Sequence, residues 1–273
     1  MIRSLWSGAT GMIAQQTAVD TISNNIANIN TTGYKTNRNE FKSLLYQELQ
    51  AKTTTANGDP KPINSQVGLG VRNSSITTIF TQGSFYESTN NFAFAIDGQG
   101  FFGVKGEDGQ TYYTRNGNFN VSLAAGGKMA LCNSDGNPVL DTKGNPIIFD
   151  AGLTASNIKI SDDGTLLYPD DKNNLQSMGI QIGLFQFNNP EGLEKKGDSL
   201  YKETAASGLV INEATTTAKI AKSSVRQGYL EGSNVQLADE MVDLIVAQRA
   251  YEANSKVITT SDTMMEQANQ LKR

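Results

Sequence analysis

The sequence predicts an α+β fold: long helices at the N- and C-terminal ends that pair as a coiled coil, with a central antiparallel β-rich domain between them. Three observations carry this. An apolar stripe at heptad spacing runs from Gly232 to Arg273, a weaker one runs through residues 3–32, and the middle consists of short apolar runs separated by turn dipeptides.

The C-terminal stripe is the clearest signal. Leu237, Leu244, Tyr251, Ile258 and Met265 recur every seventh residue, with Met241, Ala247, Asn254, Ser261 and Ala268 between them. A second stripe, Ala250, Val257, Met264 and Leu271 with Val246 and Ala253 beside it, falls on another face of the same helix. One seam suits one partner; two suit several. Gly232, Ser233 and Gln236 read as a break, a cap and a capping-box partner, and no proline or glycine follows. At about 1.5 Å per residue such a helix is ~60 Å long. A compact domain of this size cannot cover both seams over that length.

Toward the N-terminus, Leu5, Met12, Val19 and Ile26 fall seven apart, with Gly8, Gln15, Ile22 and Ile29 interleaved. The polar positions are Thr, Ser, Asn and Gln, an uncharged surface that suits burial among several helices. An ordinary core helix fits the periodicity equally well. Arg3 is the sole cation before Lys35, which argues against a membrane-surface helix. Gly33 supplies a helix stop.

Residues Phe41–Leu49 continue a short helical pattern. Lys52–Gln66, rich in Thr, Asn and Ser with Gly58, Pro60 and Pro62, reads as a loop. Alternation through Val71, Ser74 and Ile76 then leads into strands. The predicted strands are Phe92–Ile96, Phe101–Lys105, Thr111–Thr114, Gly127–Cys132, Ile147–Phe149, Asn157–Ile160, Thr165–Tyr168 and Ile180–Phe187. Between them stand Asp108-Gly109, Asn116-Gly117, Asp135-Gly136, Lys143-Gly144 and Asp163-Gly164. The domains this implies are 1–40 as the N-terminal half of a helical core, 41–75 as a connecting segment, 76–228 as a β-rich outer domain and 229–273 as the C-terminal half of the core.

Composition narrows the function. The chain has 273 residues, a net charge of -4, no basic run, no histidine and one cysteine, Cys132. A nucleic-acid partner is not expected. The absence of histidine and of a second cysteine removes His-assisted nucleophiles, most zinc sites and any internal disulfide. Residues 1–16 lack the continuous apolar core of a cleaved secretory signal, and no run approaches a membrane span, so direct membrane insertion is not expected.

Several motifs fail on context. Gly98 to Gly103 matches GxGxxG, but a strand rather than a helix is predicted to follow it, leaving no helix N-terminus for a pyrophosphate. Ser199 and Lys202 have SxxK spacing without its companion elements. Asp162, Asp163, Asp170 and Asp171 lack EF-hand spacing and read as turn formers. Cys132 reads as a buried structural thiol. No pair of carboxylates stands out. No catalytic, metal or cofactor site is therefore expected, and the protein is read as a non-enzyme.

Ser23-Asn24-Asn25-Ile26-Ala27-Asn28 with Thr31-Thr32-Gly33-Tyr34-Lys35 resembles the N-terminal signature of the bacterial flagellar rod and hook proteins. Ser233-Asn234-Val235, Glu240-Met241-Val242 and Gln248 to Lys256 resemble the family's closing motif. Ala95 to Phe102 with Tyr113-Thr114-Arg115-Asn116-Gly117 is similar to its central one. Within the family the likeness is strongest to distal rod subunits, on Met1 to Trp6, on Leu44-Leu45-Tyr46-Gln47 and on length. Residues 47–70 occupy the place where distal rod subunits carry a stretch associated with a stiff, straight tube. Their Thr-rich composition departs from a simple pattern, so a proximal rod or hook subunit stands as the alternative.

The resemblance implies a structural subunit of the basal body that assembles helically into a stiff hollow shaft, transmits torque and passes exported subunits. It implies as partners further copies of the chain, proximal rod and hook subunits, the flagellar export apparatus and rod-surrounding ring proteins, with export across the cytoplasmic membrane by a route that cleaves no signal. The expected subunit interface comprises Leu5, Met12, Val19, Ile22, Ile26 and Ile29 on the first helix. On the second it comprises Leu237, Met241, Leu244, Arg249, Tyr251, Val257, Ile258, Met264 and Met265. Arg249, among apolar residues, is expected either to meet a neighbour's carboxylate or helix carbonyls or to reach water. Asn24, Asn25 and Asn28 are expected either to line a wet channel or to bond neighbouring backbone. The rival classes are a surface binding module carried by the β domain and an enzyme with a convergent polar pocket.

Overall fold

A computed structural model of the chain describes residues 2–50, 65–123, 127–149, 157–170, 174–216 and 221–271. The fold is α+β, with long helices near its ends and antiparallel strands between, as the sequence predicts. It divides into two compact units: Met1–Ala27 with Asn37–Thr77 and Gln236–Arg273, and Asn28–Thr36 with Thr78–Val235.

The first unit is built on helices α1 (Ile2–Ala27) and α2 (Leu237–Gln270). They run antiparallel. The Ser4 and Ser261 hydroxyls are 3.1 Å apart, a β-carbon at Gly8 would stand 3.0 Å from Ile258, one at Gly11 would stand 2.8 Å from Asn254, and Asn25 Nδ2 donates to Glu240 Oε1 at 3.1 Å. Positions rise on one helix as they fall on the other. The buried residues of α1 are Gly8, Gly11, Ala14, Thr21 and Asn25, with Leu5, Met12, Val19 and Ile26 half-buried beside them. The inner face of α1 is thus made of small residues rather than of the apolar heptad, and small side chains let the two backbones approach. On α2 the facing residues are those of the first predicted stripe: Ala247 and Ser261 are buried, and Leu244, Asn254, Ile258 and Met265 half-buried.

Both helix boundaries differ from expectation. The first helix ends at Ala27, where Thr31 Oγ1 donates to Asn28 Oδ1 and the Thr31 amide to Asn28 O, so Ile29 lies in the turn beyond it. The second begins at Leu237 with Gln236 as its N-cap residue, and Gln236 makes no side-chain capping bond. Ser233 instead accepts the Val235 amide in a local turn, and Asp239 and Glu240 in the first turn favour the helix dipole.

The helical expectation for Phe41–Leu49 is overturned. Asn37–Ser43 is a strand paired with Val71–Thr78, and Tyr46–Gln50 pairs antiparallel with Ser65–Gly68. Phe41, Leu45, Tyr46 and Leu49 are all exposed, so no apolar stripe exists to hold a helix here, and strand partners distant in the sequence decide the conformation. Residues 51–64, which hold most of the predicted loop with Gly58, Pro60 and Pro62, lie outside the described residues, as does Asp171.

The second unit centres on a six-stranded antiparallel sheet. Its order is Glu194–Gly197, Leu200–Lys202, Thr111–Thr114, Phe101–Lys105, Leu184–Gln186 and Ile211–Asn212. Alternation along the central strand sends Phe101 and Phe102 to opposite faces. Phe102 joins a core with Phe94, Ile96, Phe119, Leu131, Val139, Ile147 and Leu166. Phe101 joins a second aromatic cluster with Tyr113, Phe185, Phe187, Leu193 and Tyr201, in which the Tyr113 and Phe187 rings meet edge to face at 4.8 Å. The predicted strand Ile180–Phe187 is in fact two, Leu175–Gln181 and Leu184–Gln186, because Gly183 turns its amide to Leu140 O. Ser199 and Lys202, the SxxK pair, belong to a hairpin whose turn residues Asp198 and Ser199 have positive φ, so no helix brings them together. The GxGxxG run passes directly into the strand Phe101–Lys105 rather than into a helix, and Cys132 is buried at the end of Met129–Cys132.

Candidate assembly surface and its buried anchor

With α1 occupying one face of α2, the second stripe of α2 is left in contact with solvent. Val246 is 61% exposed and Met264 53%, and Val242, Ile245, Val257 and Leu271 are exposed as well. Helix α1 adds Trp6, 62% exposed, and Ile13, one heptad apart. Each large aliphatic side chain, once fully covered, contributes about 1.5–3 kcal/mol. A groove of about 380 Å³ lies between the helices, lined by Gln16, Val19, Gln248, Tyr251 and Glu252.

Of the residues expected at a subunit interface, Leu237, Met241, Tyr251, Val257 and Met264 are exposed in the single chain. Leu5, Met12, Val19, Ile22, Ile26, Ile29, Leu244, Ile258 and Met265 are half-buried. Arg249 is not buried among apolar residues. Its side chain is 77% exposed and pairs with Glu252 one turn on at 2.9 Å, because position 249 falls outside the face that α1 covers. Asn25 bonds backbone: it is 1% exposed, its Nδ2 donates to Asn37 O at 2.9 Å and its Oδ1 accepts the Asn37 amide at 2.9 Å, pinning the first strand to α1. The same amide group donates to the Glu240 carboxylate, whose pKa is raised by burial, lowered by that bond, raised by Asp243, lowered by Arg38 and raised by Asp239. Asn28 serves the turn after α1, and Asn24 is on the exposed face.

The β-rich unit carries a buried ionic centre. Glu231, at the end of the strand Tyr229–Glu231, accepts Lys35 Nζ at 2.6 Å on Oε1 and Arg115 Nη1 at 3.1 Å on Oε2. The Gly83 amide also donates to Glu231 Oε1, at 3.0 Å, and Lys35 Nζ donates to Thr81 O at 2.8 Å. Arg115 Nη2 donates to Gly98 O at 2.7 Å, and its guanidinium lies 5.2 Å from the centre of the Phe101 ring. Burial pushes the Lys35 ammonium down, against the pull of Glu231. Gly33 makes the approach possible. It adopts a φ of +70°, donates its amide to Glu231 O at 2.8 Å, and lies so close to Arg115 that a β-carbon would stand 2.7 Å from backbone. Lys35 and Arg115 fall inside recognisable sequence motifs. Glu231 precedes the closing motif, and only its place beside Gly232 and Asn234 could have singled it out.

Paired end-helices with an open apolar flank, and chain segments from both ends fastened in one buried ionic centre, define a structural building block. Three family models match the chain: flagella basal body rod protein over residues 5–35, the D1 domain of flagellar hook protein FlgE/F/G over 95–168, and the C-terminal part of flagellar basal body rod protein FlgEFG over 226–271. The chain belongs to the flagellar basal-body rod family and is a structural subunit of the flagellar rod. It is 42% identical to the flagellar basal-body rod protein FlgG of Borreliella burgdorferi over 100% of both chains. It is 41% identical to that of Agrobacterium fabrum over 96% of this chain and 97% of the relative, and 37% identical to that of Bacillus subtilis over 100% of both. The three matched segments each supply one member of the ionic centre: Lys35, Arg115 and Glu231.

Proposed function

We propose that this chain is a subunit of the distal rod, polymerising helically into a stiff hollow shaft that transmits torque and passes exported subunits. Helices α1 and α2 act as its helical core, and the β-rich unit as its outer domain. In this reading α1 and α2 pair as an antiparallel coiled coil through the small-residue seam, and the second stripe of α2 meets further copies. The observation that carries it is the row Val246, Val257, Met264 and Leu271, exposed along a helix whose neighbouring face is already occupied by α1. Covering several such residues per subunit gives cooperative, stiff assembly, offset in part by the entropy of association. Full-length likeness to the rod protein FlgG favours the distal position. Proximal rod and hook subunits, surrounding ring proteins and the flagellar export apparatus are the further partners, and the chain reaches its place through that apparatus without cleavage of a signal.

Sedimentation and electron microscopy of the full chain across concentrations test this. Open-ended polymers above a critical concentration are expected. A monomer at all concentrations, or a closed oligomer of fixed size, contradicts the reading, and a monomer that binds a ligand through its β domain favours a surface binding module.

A further inference from the structure

We infer that Glu213 is the missing counter-charge of the Lys35–Glu231–Arg115 centre, so that four buried charges from four separate stretches of chain form one neutral unit. Among the described residues the buried charged side chains are Lys35, Arg115, Glu213 and Glu231, and all belong to the β-rich unit. Lys35 and Arg115 around Glu231 alone leave one positive charge in excess, a costly arrangement away from water.

Glu213 is 4% exposed and is surrounded by donors. Gln186 Nε2 donates to Oε1 at 2.8 Å, Ser223 Oγ to Oε1 at 2.9 Å and the Ser223 amide to Oε2 at 2.7 Å. That environment accommodates an acceptor carrying negative charge. The short backbone segment Gly98-Gln99-Gly100 bonds at one end to Arg115 and at the other to Ser223, which bonds Glu213. Ser223 Oγ accepts the Gly100 amide at 2.9 Å, and two residues earlier Gly98 O accepts Arg115 Nη2 at 2.7 Å. The turn Gly98-Gln99-Gly100 therefore lies between the guanidinium and the carboxylate. A β-carbon at Gly100 would come within 2.7 Å of Glu213 Oε1 and one at Gly98 within 2.6 Å of Ser223 Oγ, so the glycines that imitate a nucleotide-binding motif make room for this carboxylate. Burial lowers the Arg115 pKa, and Glu231 first and Glu213 further on act against it.

The balance makes a test that ordinary packing does not. Glu213→Gln keeps the shape and leaves one cation in excess. Lys35→Met alone leaves one anion in excess. Together they restore neutrality with Arg115 and Glu231 still bonded. Unfolding constants of the β-rich unit are measured by urea titration for the full-length chain and the three variants. Glu213→Gln is expected to raise the constant by about tenfold to a hundredfold. The double variant is expected to lie at least about tenfold below the product of the two single effects. A double variant within about tenfold of that product overturns the inference. Should Glu213→Gln fail to fold, a folded double variant supports the shared balance and an unfolded one overturns it.

Discussion

Lys35 and Glu231 are 196 positions apart in the chain and meet at 2.6 Å with neither side chain reaching solvent. Lys35 closes the segment that leaves α1, and Glu231 closes the last strand before α2. The Gly33–Glu231 backbone bond runs alongside, so the same two segments are joined twice. Glu231→Gln leaves Lys35 and Arg115 facing a neutral amide in a site closed to solvent. The expected loss is about 3–5 kcal/mol of stability, measured by urea unfolding of the β-rich unit. A loss below about 1 kcal/mol contradicts the assignment of Glu231 as the hub.

Gly11 offers a second test, in the helical unit. Its contact with Asn254 leaves no space for a branched side chain. Gly11→Leu is expected to cost about 1–3 kcal/mol through overpacking of the seam, despite the better helix propensity of leucine. Thermal unfolding followed by far-ultraviolet circular dichroism reads this, and an unchanged or raised midpoint contradicts the small-residue seam.

Glu240 gives the helical unit a pH dependence of defined sign. Its carboxyl is held above the ordinary 4.5, chiefly by burial. Between 4.5 and the higher folded value the folded chain binds more protons than the unfolded one, so stability falls as pH rises through that window. Glu240→Gln retains an acceptor for Asn25 Nδ2 and removes the titrating group. The variant is expected to show a flatter melting-temperature profile from about pH 4.5 to about pH 7 and a higher midpoint at neutral pH. A profile as steep as the parent's places the titration elsewhere.

Trp6 is the chain's one tryptophan and lies on the outer side of α1. Its emission is expected to be that of a wetted indole in dilute protein and to shift to the blue as polymers form. Polymer formation without a shift removes Trp6 and the α1 face around it from the contact surface.

The two helices were unequally legible in the sequence. The first stripe of α2 could be read because it is long, strictly periodic and apolar, and Leu244, Ile258 and Met265 do face α1. The inner face of α1 could not, because Gly8, Gly11, Ala14, Thr21 and Asn25 bury backbone and polar groups, and a search for apolar period selects the flanking Leu5, Met12 and Val19 instead. The stretch Phe41–Leu49 reads as helix because local pattern carries no record of distant partners at Ser65–Gly68 and Val71–Thr78. In the β-rich unit the turn dipeptides marked the strands well. Glu213 and Glu231 are not legible in the sequence, because an isolated glutamate in a short strand or turn ordinarily reads as exposed and their burial depends on charges and donors far away in sequence.

The exposed flank of α2 beside its α1 seam tests the account most directly. Val246→Asp with Val257→Asp places charges on residues already exposed in the single chain, so the protomer's own stability is expected to change by no more than about 0.5 kcal/mol per site. Sedimentation of the double variant at concentrations where the parent polymerises is the measurement. The account predicts a folded monomer with the parent's helix content that forms no polymers. Polymers of the parent's size and yield from the double variant would contradict it.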